Sequence, residues 1–155
     1  MKKRFLALFL AMGCSVMGVF ALNVEARAED TVGEDVEFSY LLTEDALIGY
    51  AELKTRGVYL SEGYSAINNA GSGKIGCGGV THASIRCQVS ITSIVERKVS
   101  GSWVRVTSWT QTNTNALRAS ISKYLSVTSG YYYRVRSSHY ASTDSSSSWT
   151  DGLWM

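Results

Sequence analysis

Cys77, His82 and Cys87 stand in a C-x4-H-x4-C arrangement, and thiols with an imidazole at such spacing can ligate zinc or pair as nucleophile and base. A zinc knuckle needs another cysteine three residues before Cys77, where Lys74 stands; His139 is the other histidine available to complete a set. Gly71-x-Gly73-x-x-Gly76 has the spacing of a dinucleotide-binding turn. That turn works only between a strand and a helix whose N-terminus meets the pyrophosphate. Gly78-Gly79 interrupts any helix there, and Ile75 after Gly73-Lys74 removes the hydroxyl with which a phosphate loop holds magnesium. Paired carboxylates are scarce, since residues 63–155 hold three acids, Glu96, Asp144 and Asp151. A glycosidase needs two such groups about 5–10 Å apart across a cleft. The sequence therefore predicts no catalytic residue, no metal and no cofactor, and the protein is not expected to be an enzyme. A hydrolase built on His82, His139 or Asp144 stands behind two non-catalytic readings.

The aromatic residues carry the other chemistry. Val95, Val104 and Val106, if they face inward, send Trp103 and Trp109 to the outer surface of a sheet. Tyr132, Arg134, Arg136 and Tyr140 recur with period two and form an outward stripe on another strand. Exposed rings interleaved with bases can stack on sugars or grip anionic wall polymers. A sandwich can equally bury a tryptophan of this kind in its core.

Such positioning requires strands. Ile85, Cys87, Val89 and Ile91 alternate with Arg86, Gln88, Ser90 and Thr92, the pattern of a half-buried strand. Ser100-Gly101 predicts a hairpin that pairs Val95 with Val106, Glu96 with Arg105, Arg97 with Val104 and Lys98 with Trp103. Further strands are expected near 58–67, 117–127, 131–140 and 147–154, with a glycine-rich loop over 68–79 and a mobile serine loop over 142–148. Thr43 can cap a short helix that begins at Glu44-Asp45 and reaches Leu53.

Residues 1–28 read as an export signal: basic Met1-Lys2-Lys3-Arg4, an apolar run from Phe5 to Leu22, and Ala26-Arg27-Ala28 before the cleavage point. An apolar run of that length is near the lower limit of a membrane span, and the Ala-x-Ala site favours cleavage instead. Cleavage removes four bases and one acid, leaving 11 basic and 12 acidic residues, so the excess positive charge belongs to the precursor and points to no nucleic acid. Nine of those acids fall in residues 29–62, a solvated acidic lead-in. In an oxidising exterior, Cys77 and Cys87 are expected to form a disulfide. The chain thus divides into a signal peptide (1–28), an acidic, partly helical segment (29–54) and a β-sandwich domain (55–155).

Two resemblances refine this. Leu125-x-Val127-x-x-Gly130-x-x-Tyr133-x-Val135 resembles the approach to the F strand of immunoglobulin-like and fibronectin-like sandwiches, with Tyr133 as the corner tyrosine. Ser39-Tyr40-Leu41-Leu42, Asp45-Ala46-Leu47-Ile48-Gly49-Tyr50, Thr55-Arg56-Gly57-Val58-Tyr59-Leu60, Gly101-Ser102-Trp103 and Tyr132-Tyr133-Arg134-Val135-Arg136 are similar to segments of a domain-of-unknown-function family of short secreted proteins from Gram-positive, Clostridia-type bacteria. That resemblance implies export and a β-rich fold, and it brings no activity. The expectation is an all-β, immunoglobulin-like antiparallel sandwich, secreted, that contacts cell-wall polysaccharide or an envelope protein through Trp103, Trp109, Tyr132, Arg134, Arg136 and Tyr140. A bacteriocin-like antagonist is the alternative.

Overall fold

The computed structural model describes residues 33–53 and 57–155. The expected signal peptide therefore lies outside the described residues. The described residues form eight antiparallel strands: β1 (Glu34–Asp35), β2 (Leu47–Tyr50), β3 (Leu60–Gly71), β4 (Lys74–Val99), β5 (Ser102–Ser126), β6 (Tyr132–Ala141), β7 (Asp144–Trp149) and β8 (Leu153–Trp154). One 3-10 turn, Phe38–Leu41, interrupts them. The all-β expectation holds.

β4 and β5 dictate the architecture. Straight strands of 26 and 25 residues would each run about 80–90 Å, against a radius of gyration near 14 Å for a domain of this size. Each therefore serves two layers. Their ladder breaks between His82 and Cys87 on β4, opposite Arg118 and Ala116 on β5, where Asn115 takes a left-handed conformation. The first halves of β4 and last residues of β5 join β3, β2 and β1 in one layer. The remaining halves join β6, which β7 and β8 pair in succession along its far side. Ile85 lies in the broken stretch and is exposed, whereas Val89, Ile91 and Val95 of the alternating pattern are buried.

Between the layers, Ile67, Ile75, Cys77, Val95, Leu125, Tyr133 and Val135 form one apolar cluster, and Val89, Ile91, Leu60, Ala119 and Ile121 another. The Tyr133 hydroxyl donates to the Thr128 carbonyl at 2.8 Å, which is the tyrosine corner expected of this sandwich type.

Four sequence expectations are corrected. The glycine-rich segment is a hairpin: Ser72 and Gly73, both with positive φ, turn β3 directly into β4. Gly78 lies within β4, paired with Ala66 and Ser122, at a position where a side chain would collide with the Ile121 backbone. The helix expected over 43–53 is absent; residues 47–50 are strand β2, whose pairing with β3 outweighs local helix propensity. The acidic lead-in is docked: Glu34 and Asp35 pair with β5 and form ion pairs with Lys74 and Lys123, while Phe38 and Leu41 pack on Ala66 and Val80. The serine run is strand β7, and Asp144 accepts hydrogen bonds from the Tyr59 and Leu60 amides. The amides of Leu60 and Tyr59 hold its carboxyl below the usual range.

The expected Cys77–Cys87 disulfide is also corrected. Both thiols are free: Cys77 precedes the break in β4, opposite Lys123 and inside one apolar cluster, whereas Cys87 lies at the far end of the break, opposite Ala116 and against the other cluster. Burial pushes the Cys77 thiol up to about 12. In a chain lacking residues 1–28, a thiol reagent should label Cys87 in the folded state and Cys77 only after denaturation. Reductant should leave the melting temperature unchanged; two thiols that appear only after reduction would contradict this arrangement.

Candidate functional site

Alternation along β6 divides its residues cleanly. Tyr133, Val135, Ser137, His139 and Ala141 are buried, while Tyr132, Arg134, Arg136, Ser138 and Tyr140 point away from the core. The outward set continues sideways through the register. Arg134 lies opposite Glu96, Arg136 opposite Trp149, and Tyr132 opposite Trp154. The hairpin expected at Ser100-Gly101 is present and places Trp103 opposite Lys98 and Arg105 opposite Glu96.

This outer face has a defined internal structure. The Arg134 guanidinium stacks on the Trp103 ring at 4.4 Å, and the Lys98 ammonium lies 5.7 Å from the same ring. Trp103 is consequently half-buried beneath two cations. Tyr132 and Trp154 meet edge to face at 4.9 Å. Glu96, expected to pair with Arg105, instead gives its oxygens to Arg134 (2.7 Å) and Arg136 (3.3 Å) across the other edge of β4. Arg105 bonds the Ser108 hydroxyl.

Trp109 is the misplaced member. A bulge between Val95 and Glu96 makes Val95 face Thr107 rather than Val106, and one extra residue reverses the parity of everything beyond it. Trp103 precedes the bulge and remains outward; Trp109 follows it, lies opposite Ser93, and packs against both apolar clusters. Trp149 and Trp154 fall in the strand expected over 147–154, which the structure divides between β7 and β8, and neither was singled out because their faces follow from the register with β6. Four large rings stand open on this face: Tyr132 (46 %), Tyr140 (40 %), Trp149 (55 %) and Trp154 (56 %). Beside Trp149 and Tyr140, a depression of about 680 Å³ is bounded by Tyr50, Glu52 and the hydroxyls of Ser90, Thr92, Ser138 and Ser147.

The residues considered for catalysis and metal binding go elsewhere. Cys77 joins the interlayer core, whereas His82 stacks on Tyr64 beneath the N-terminal segment, its basicity lowered by burial and by the Arg118 charge. Among the described residues, no group of three or more His, Cys, Asp or Glu side chains converges. Asp144 is occupied by the two amides already named.

His139 is 1 % exposed at the centre of a polar seam between the layers. Its Nδ1 lies 2.9 Å from Thr81 Oγ1, and its Nε2 lies 2.8 Å from Ser148 Oγ. Thr81 spends its hydroxyl proton on the Ser90 carbonyl, so Nδ1 carries the imidazole proton and Nε2 accepts from Ser148. Ser65 links Ser148 at 2.7 Å to Ser137 at 2.8 Å, and Ser93 bonds Ser137 at 3.0 Å. Ser148 beside His139 has the contacts of a nucleophile and base, and both side chains are buried. Close approach of the strands is essential here, since a side chain at Gly63 would strike the His139 ring.

The chain belongs to a family of unknown function, DUF6147, whose profile matches residues 26–152. No curated protein matches it. Among solved structures, the solution structure of R. palustris CsgH is similar with a TM-score of 0.40 and 17 % identity, covering 56 % of this chain and 87 % of that one. Among the described residues, no helix is long and apolar enough to cross a membrane.

Burial lowers the His139 imidazole to about 4 from an ordinary 6.5. Between those values the unfolded chain binds the extra proton and the folded chain does not, so stability is complete above about pH 6.5 and falls as pH drops toward 4. The loss through that window should be roughly 3 kcal/mol. Urea unfolding at pH 7 and pH 4.5 would measure it. In His139→Gln, the slope across this window should be much reduced; an unchanged slope would remove His139 as its source.

Proposed function

We propose that the protein is a secreted, non-catalytic binding module of the Gram-positive envelope, and that it holds cell-wall glycan on the outer face of β4, β6, β7 and β8. The observation that carries this reading is the set of open rings on one rigid sheet face. Tyr132, Tyr140, Trp149 and Trp154 are carried on strands rather than loops, so their spacing is fixed before a ligand arrives. Flat rings stack on the apolar faces of sugars, and the hydroxyls of Ser90, Thr92, Ser138 and Ser147 beside Trp149 can exchange hydrogen bonds with sugar hydroxyls. A monomeric soluble protein has no structural need for four large open aromatic side chains on one face. The basic and apolar character of residues 1–28 and the Ala-x-Ala site support export.

Purified wall sacculi should sediment the folded protein, and Trp149→Ala with Trp154→Ala should weaken that binding by about tenfold or more, the effect of losing two stacking contacts. Circular dichroism should be unchanged, because both rings lie outside the core. Equal sedimentation of the double variant would refute the reading.

A further inference from the structure

The outward positions of the second layer carry an uneven charge. Lys98, Arg105, Arg134 and Arg136 are set against one strand carboxylate, Glu96, with Glu52 at the rim beside Trp149. That carboxylate is 7 % exposed and fully engaged: Oε2 accepts from Arg134 Nε and Oε1 from Arg136 Nε. A guanidinium has five N–H donors, and binding through Nε leaves the four on its terminal nitrogens free. Among the described residues, neither arginine makes another side-chain hydrogen bond. Alternate residues of a strand stand about 7 Å apart on one face, so one buried acid presents two oriented guanidinium forks at a defined spacing. The Trp103 ring beneath Arg134 fixes the first fork from below.

We infer that Glu96, Arg134 and Arg136 form a subsite for an anionic glycopolymer, one whose phosphodiester or carboxylate groups repeat along the chain at the scale of a sugar or polyol unit. This rests on the glycan reading above and specifies the polymer that reading leaves open. Rings at Tyr132, Trp149 and Trp154 flank the two forks, so a chain that stacks on them passes its charged groups over the arginines. Planar forks match both oxyanion types with paired hydrogen bonds, a fit that a lysine's point charge does not offer. The contribution of Glu96 is orientation, since the acid lowers the positive charge of the face while fixing where the forks point.

Opposed effects on charge and orientation make the test decisive. Titration calorimetry at about 0.15 M salt, where exposed charges farther apart than roughly 8 Å are largely screened, would use poly(glycerol phosphate), polygalacturonate, an uncharged chito-oligosaccharide and duplex DNA. The full-length mature protein should bind at least one of the two glycan-type polyanions, and which one identifies the charged group. Glu96→Gln raises the positive charge of the face yet should weaken that binding about fivefold or more. Arg136→Lys, which keeps the charge and leaves the Trp103 stack intact, should do the same. Tighter binding by Glu96→Gln, no response to Arg136→Lys, or equal affinity for duplex DNA would each overturn the inference in favour of bulk charge attraction. Binding of the uncharged oligosaccharide alone would also overturn it while leaving the glycan reading in place. Polyanion binding that survives Trp149→Ala with Trp154→Ala would remove the glycan reading and keep the anion subsite.

Discussion

Two strands that are too long for one sheet set the terms for the rest of this protein. β4 and β5 pair along most of their length, and a compact domain can contain them only by folding that hairpin over itself. The break at residues 83–88 and 115–117 is where the fold occurs. It turns one continuous ladder into two facing layers without a separate connection. β3 and β6 then pair with opposite ends of β4, which brings two strands remote in sequence into face-to-face contact. Docking of Phe38 and Leu41 on the outer side of the first layer covers an apolar patch around Ala66 and Val80 that the sandwich itself leaves open.

The space between the layers is partly polar. Ser65 and Thr81 from one layer meet Ser137, His139 and Ser148 from the other through hydroxyl and imidazole contacts. Each hydroxyl can donate as well as accept, so a neutral imidazole is satisfied at both nitrogens without a buried charge. The same arrangement disfavours the imidazolium, whose charge would have no acid partner in the seam. Such directional contacts fix how one sheet sits on the other more narrowly than apolar packing does. Small serine side chains and Gly63 and Gly79 permit the close approach that these bonds require.

That rigidity is what gives the outer face its character. The inward residues of β6 are locked by Tyr133, Val135 and the His139 seam, so the outward residues between them have fixed bearings. Glu96 adds a second constraint by drawing two arginines toward one buried acid. Rings and cations therefore occupy set positions on a sheet rather than sampling many on loops, which lowers the ordering cost of binding a repetitive chain.

Period-two alternation made β6, the second half of β4 and the Ser100-Gly101 hairpin legible in the sequence, because a half-buried strand must alternate and a tight hairpin needs positive φ. Tyr133 was legible as a corner through the resemblance of residues 125–135 to the F-strand approach of immunoglobulin-like sandwiches, and its hydroxyl meets the Thr128 carbonyl five residues back. Trp109, Trp149 and Trp154 were not legible. The fate of Trp109 turned on a bulge that reversed parity after Val106, and a bulge leaves no mark in composition. Trp149 and Trp154 lay in an expected strand, but which way their rings face depended on its register with β6. Ten residues between Cys77 and Cys87 suggested a short loop, whereas the break in β4 falls between them and they pack against different apolar clusters. The sequence by itself determined which residues alternate and where the chain reverses, since those are local backbone constraints. Tertiary structure alone decided which face became the core, which rings stayed open and which arginines Glu96 holds, because each of these depends on register between segments distant in the chain.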